Sequence, residues 1–218
     1  MRIVLLGTTG DGRSSSGNTI LGNSSRTKFL TKCSPTSETS KCEVQMGLRA
    51  GKETRIKIID TPVFFDTRMS DEELKPEIVK CIVTTAPGPH AFIIVLSVGK
   101  FAGEELATVA KITQSFGEDA LKYSAVLFTH GDDLDDDQTI EQFVEQSKEL
   151  KELVEKCGGR CHVIDNEEWN KEHEYRSNSA QVKKLLNTIE EMANNGCCYT
   201  PTMLQAAKKE PPGNTGLY

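Results

Sequence analysis

Arg2-Ile3-Val4-Leu5-Leu6-Gly7-Thr8-Thr9-Gly10-Asp11-Gly12-Arg13-Ser14-Ser15 carries the first structural signal of the chain. Ile3 to Leu6 is an apolar run without alternation, which suits a parallel strand covered on both faces. The residues after it have the spacing G-x-x-x-x-G-K-[ST] of a phosphate loop, with Arg13 in place of lysine. In such a loop the glycines let the backbone fold back, so that amide N–H groups from Gly7 through Ser15 converge on a β-phosphate. The following helix aims its positive N-terminus there, and Ser14 offers its hydroxyl to Mg²⁺. The competing reading is an ordinary glycine-rich turn from strand to helix. The position between a first strand and a helix over Ser15 to Leu21 favours phosphate binding. Arg13 weakens catalysis more than fold, because a planar guanidinium does not replace a compact ammonium in a tight cradle.

Working outward, Ala91 to Leu96 is a second continuous apolar run, and both runs are expected to be central strands. Arg55 to Asp60 and Ala125 to Thr129 read as strands with functional C-terminal tips, and Cys161 to Ile164 as a weaker last strand. Helical patterns lie between them. One opens at Ser70 with Asp71, Glu72 and Glu73, and one carries Leu106, Val109, Ala110 and Ile112. A third runs from about Thr139 until Gly158 and Gly159 stop it, and a last one ends at Asn194. Strand and helix alternate with short loops, so an α/β doubly wound sheet follows, with its ligand at the C-terminal strand edges.

The chain has 218 residues, the size of one full domain with a short extension, and two independent domains are not expected. Its hydrophobic fraction of 37% and charged fraction of 27% describe a soluble chain that can bury a core. A net charge of -6 gives no general attraction to nucleic acid or anionic membranes. The seven cysteines are odd in number, scattered, and preceded by no signal peptide, which suggests reduced thiols in a cytoplasmic protein. A zinc site at Cys157, Cys161 and His162 would need Cys197 and Cys198 to complete it, and is disfavoured. The longest apolar stretch, Ala91 to Val98, is too short for a membrane span.

Asp60-Thr61-Pro62-Val63 sits where a switch GTPase keeps a Mg²⁺-associated aspartate and a glycine whose amide senses the γ-phosphate. Val63 replaces that glycine. Its N–H remains available to the phosphate, but a β-branched residue cannot follow glycine through unusual backbone angles. Phe64 follows, and no glutamine stands there to orient an attacking water, so hydrolysis is expected to be slow. Taken alone, Asp60 could equally be a turn residue at a strand end.

These motifs together resemble the GIMAP or IAN family of immunity-associated GTPases, the AIG-type relatives of septins. The resemblance covers most of the chain. It rests on Gly7 to Gly22 with Ser16-Gly17-Asn18-Thr19-Ile20-Leu21-Gly22, on Asp60-Thr61-Pro62 with Phe64-Phe65-Asp66-Thr67, and on Pro87-Gly88-Pro89-His90-Ala91. It implies a three-layer phosphate-loop NTPase fold with a mostly parallel six-stranded sheet and helices on both faces. The G domain would cover residues 1–199, and 200–218 would form an extension that is disordered at its end. It further implies that Thr39 is the first-switch threonine, joining Ser14 and Asp60 around Mg²⁺. Phe128-Thr129-His130-Gly131-Asp132-Asp133-Leu134 resembles the guanine-reading motif, with Asn166 near the base. The chemistry agrees, since the Asp132 carboxylate can accept from guanine N1–H and N2–H₂, which adenine cannot supply, and His130 could lie against the base. The competing reading is a solvated acidic loop. Thr8 and Arg13 depart from the family's usual lysines, and Val63 from its glycine.

The expected function is GTP or GDP binding with Mg²⁺ as a conformational switch for self-association, either as a homo-oligomer or with paralogous G domains through the G-domain face. Neither nucleic acid nor a transmembrane anchor is implied, and acylation of Cys197 and Cys198 is disfavoured. The rival is a pseudo-GTPase interaction module that has lost useful triphosphate binding. A phosphate-loop kinase or ATPase fits the guanine-reading segment poorly.

Overall fold

The computed structural model describes residues 1–8, 10–22, 28–31, 42–49, 52–61, 76, 79–81, 83–99, 103–166, 169, 174–194 and 198–200. Strands β1 (Arg2–Gly7), β2 (Glu43–Leu48), β3 (Arg55–Asp60), β4 (Ala91–Ser97), β5 (Ser124–Thr129) and β6 (Cys161–Val163) form one sheet in the order β2-β3-β1-β4-β5-β6. All neighbours are parallel except β2, which lies antiparallel on the β3 edge. The helices are α1 (Arg13–Leu21), α2 (Gly103–Phe116), α3 (Ile140–Glu145), α4 (Lys148–Lys156) and α5 (Asn178–Asn194). The helix expected to open at Ser70 starts outside the described residues, and positions 79–81 and 83–84 are helical.

The apolar runs lack alternation because both faces of the sheet are covered. Val4, Leu6, Phe92, Leu96 and Phe128 pack with α2, α3 and α4 residues on one face. Ile3, Leu5, Ile58, Ile93 and Leu127 pack with Ile20, Leu21, Leu185 and Ile189 of α1 and α5 on the other. The chain leaves β1 toward β3 on one side and reaches β4 on the other, so the phosphate loop opens at the point where the strand order reverses.

The strand-by-strand reading had no counterpart for β2. Val44, Met46 and Leu48 do alternate with polar positions, but Met46 and Leu48 are exposed on this edge strand, so the apolar signal is weak. A second correction concerns the helix from Thr139. It is two helices, because Ser147 caps α4 by accepting from the Leu150 N–H at 3.3 Å. The start at Thr139 is a capping box with Gln142. On β6, Cys161 packs into the α2–α4 side while its neighbour His162 points the other way, which separates two of the residues weighed for zinc. Burial pushes the Cys157 and Cys161 thiols up to about 12.

The Pro87 to His90 box lies at the N-terminal edge of the sheet, opposite the phosphate loop. The Arg2 side chain donates to the Gly88 carbonyl at 2.7 Å, and its backbone N–H donates to His90 Nδ1 at 2.9 Å. Tyr199 returns the end of the described chain to this box through a 2.9 Å bond from its N–H to the Pro89 carbonyl. Its ring stands edge-on to Phe92 at 5.1 Å, and its hydroxyl donates to the Phe116 carbonyl. Tyr199→Ala is therefore expected to lower the unfolding free energy by about 3 kcal/mol, read from urea melts.

His90 supplies a pH test. Burial, then the charges of Arg2 and the N-terminus, lower its pKa to about 4. The unfolded imidazole takes its proton near ~6.5, so between those values the unfolded chain binds more protons and stability falls as pH falls. His90→Asn keeps an acceptor for the Arg2 N–H. Its stability relative to the wild type should rise as pH is lowered through that window, and a constant difference would show that His90 carries no such linkage.

Candidate functional site

The C-terminal tips of β1, β3, β4 and β5 bring Gly7, Asp60, Ser97 and Thr129 to one edge. Between β1 and α1 the loop turns at Gly12, whose φ of 77° is left-handed and suits glycine. A side chain there would also meet Asn166 Nδ2 at 2.7 Å. The Gly12 carbonyl accepts the first helical bond from Ser16 at 2.7 Å. Among the described residues no side chain caps α1, so its positive end is presented to the loop, as an anion site requires.

The loop is tied to the strand tips by Asp11, which is 3% exposed. One carboxylate oxygen accepts from the Thr8 N–H at 3.3 Å and from the Thr8 hydroxyl, and the other accepts from the Ser97 hydroxyl at 3.2 Å. The Thr129 hydroxyl donates to the Asp11 carbonyl at 3.1 Å. Ser97 and the buried side chain of Asp11 were not expected from the sequence. Nothing in the local pattern marks a serine at the end of β4.

Arg13 is buried at 6% exposure and donates to the Thr61 hydroxyl at 3.4 Å. Burial lowers its pKa, while the charges of Asp60 and Asp11 act the other way. Asp60 is raised by burial, against the opposing effects of Arg13 and the Ser14 hydroxyl. Ser14 donates to Asp60 Oδ2, and Oδ1 is buried without a hydrogen-bond partner among the described residues. A hydroxyl and a carboxylate joined in this way, with one hard oxygen left over, fit Mg²⁺. Ser14 and Asp60 are the residues that would hold it. Thr9, Thr39 and Val63 lie outside the described residues.

Beyond β5 the chain turns at His130, a left-handed residue with φ 57°, into a 3-10 turn over Gly131–Asp133. His130 Nδ1 lies 3.0 Å from the Thr129 hydroxyl, and Asp132 and Asp133 are exposed. Gly131 allows the turn to approach Trp169, whose ring a side chain would meet at 2.8 Å. Its N–H bonds the Ile164 carbonyl at 3.1 Å, joining this turn to the loop after β6. That loop carries Asn166, but the amide is directed at the phosphate loop. It donates to the Gly12 carbonyl at 3.3 Å and to Ser16 Oγ at 3.4 Å, and accepts from Thr19 Oγ1 at 3.0 Å.

A phosphate loop, a strand-end aspartate bonded to its serine and an acidic turn after β5 thus share one edge. The AIG1 family pattern matches residues 1–214. The chain belongs to the AIG1 family. It is 34% identical over 215 residues to immune-associated nucleotide-binding protein 10 of Arabidopsis thaliana, covering 95% of this chain and 44% of that protein. It is 32% identical over 200 residues to GTPase IMAP family member 8 of Homo sapiens, covering 91% of this chain and 29% of that protein. The chain therefore spans less than half the length of these two AIG1 relatives. Among solved structures, Toc33 from Arabidopsis thaliana in complex with Mg²⁺ and GMPPNP has the same fold, with a TM-score of 0.66 and 20% identity over 90% of this chain and 85% of that one. Era of Aquifex aeolicus bound to GDP and AlF₄⁻ matches with a TM-score of 0.57 and 16% identity over 92% of this chain and 56% of that one. The fold of this AIG1 chain is that of a phosphate-loop GTPase G domain. Among the described residues no helix is long and apolar enough to cross a membrane.

Asn166 gives this arrangement a test. Asn166→Ala leaves the Thr19 hydroxyl with the Ser15 carbonyl at 3.1 Å as its remaining acceptor, and removes one partner each of the Gly12 carbonyl and Ser16 Oγ. The expected result is a loss of about 1 to 3 kcal/mol in unfolding free energy, with faster amide exchange across Gly10 to Ser16.

Proposed function

We propose that the chain binds GTP and GDP with Mg²⁺ and that the bound nucleotide switches it between states that do and do not self-associate, with slow hydrolysis. One observation carries the nucleotide part. Ser14 and Asp60 are joined beside the start of α1, where among the described residues no side chain caps the helix and one buried Asp60 oxygen has no partner. Loop amides hold the phosphates, and Mg²⁺ when bound neutralises charge on their oxygens. Asp132 accepts from guanine N1–H and N2–H₂ while His130 covers the base. Slow hydrolysis follows from Val63 and Phe64 at the switch position and from the lack of a water-orienting glutamine there. Self-association is proposed from the family resemblance, and a dimerization-deficient mutant of Toc33 is among the structures of this fold.

A second reading, the pseudo-GTPase, is favoured by Arg13. Its guanidinium is buried, and it points to Thr61 with Asp60 and Asp11 nearby instead of into an open cradle. Calorimetric titration with GDP, GTP and ATP, each with and without Mg²⁺, separates the two. The switch reading expects Mg²⁺-dependent heat with GTP and GDP and none with ATP. Silence with every nucleotide supports the pseudo-GTPase.

Base choice is tested at Asp132. Asp132→Asn should exchange GTP for xanthosine triphosphate, whose carbonyl at position 2 accepts from the new amide, with a reversal of up to about 10⁴. If Asp133→Asn reverses the preference instead, the aspartate that reads the base is Asp133.

A further inference from the structure

Asp11 is an ionisable residue inside the phosphate loop, at the place where the loop must attract an anion. Its carboxylate is not turned to solvent. It is buried, and it accepts from Thr8 on one side and from the Ser97 hydroxyl at 3.2 Å on the other. One of those donors is the Thr8 backbone N–H at 3.3 Å, so the carboxylate engages a loop amide as an internal anion.

The charge count points the same way. Arg13 bonds the Thr61 hydroxyl and feels the opposite charge of both Asp60 and Asp11. With a neutral residue at position 11, Arg13 and Asp60 would offset each other. With Asp11 the trio carries a net negative charge in a site screened from water, where Coulomb interactions are stronger than in solvent. The hydrogen bonds to Thr8 and Ser97 keep that charge fixed under the loop.

We infer that Asp11 sets the chain's affinity for phosphate groups, its buried charge opposing the anion that the loop amides attract. This rests on the nucleotide reading above only in taking the loop as the phosphate site. Asp11 positions the loop and tunes its field, and it makes no contact with substrate. Its removal should therefore strengthen binding, the opposite of what losing a structural anchor would do.

The test uses the full chain and Asp11→Asn, which keeps the side-chain length and one carbonyl acceptor while removing the charge. Equilibrium titrations with guanosine, GMP, GDP and inorganic pyrophosphate, each with Mg²⁺, are compared with the wild type. Affinity for GDP and pyrophosphate should rise about tenfold or more, GMP should gain less, and guanosine should not change. Ser97→Ala removes one hydrogen bond from the same carboxylate without changing charge, and should give no rise. Asp11→Ala guards against a variant that merely folds poorly. A gain in pyrophosphate affinity despite a lower Tm supports the inference. Unchanged or weaker binding of both GDP and pyrophosphate in both Asp11 variants overturns it. If pyrophosphate binding rises while GDP gains nothing from its base in any variant, the guanine reading fails and the inference stands.

Discussion

A buried guanidinium needs partners, and at the edge where the parallel strands end that need organises the site. Arg13 is enclosed at the start of α1, and the charges that balance it come from Asp60 at the tip of β3 and Asp11 within the loop. Each carboxylate then needs donors. Asp60 takes the Ser14 hydroxyl, and Asp11 takes Thr8 and the Ser97 hydroxyl at the tip of β4. Thr129 at the tip of β5 bonds the Asp11 carbonyl. The network thus runs from β3 to β5 through one loop. Leaving one of these buried polar groups without its partner costs about 1 to 3 kcal/mol, so the members of the network are coupled in stability as well as in position.

The parts of the fold that were legible in the sequence are those whose physics is local. The Ile3 to Leu6 and Ala91 to Leu96 runs read as covered strands because both faces are buried, and the loop after β1 announced itself by glycine spacing. The Gly158 and Gly159 stop and the Thr139 start were equally local, being a backbone reversal and a capping box. What escaped was decided by competition. Ser147 splits a continuous apolar face by capping within it, and β2 shows too few buried side chains for its alternation to stand out.

In the site, the sequence supplied the residues but not their partners. Ser97 meets Asp11 across 86 residues, and Asn166 meets Gly12 across 154. No spacing rule reaches that far. Asn166 is an example: motif order gives it a place near the base but says nothing of the bonds its amide makes to the Gly12 carbonyl and to two side chains of α1. The Pro87 to His90 box shows the reverse case. It carries part of the resemblance, and its contacts with Arg2 and Tyr199 are structural ones at the edge away from the loop.

The two edges of the sheet explain how Arg13 can depart from the usual loop sequence while the fold persists. At the N-terminal edge, backbone groups of Arg2, His90, Pro89 and Tyr199 bond one another around packed aromatic rings. These contacts close the core without using any loop residue. At the C-terminal edge the polar side chains sit on the last strand residues and in the loops after them, so a change there alters charge and hydrogen bonding but leaves the apolar layers in contact. Substitution of lysine by arginine in the loop therefore acts on the field and shape of the phosphate site. The sheet, held from its other end and from both faces, supplies the rigid frame against which Asp11, Arg13 and Asp60 set that field.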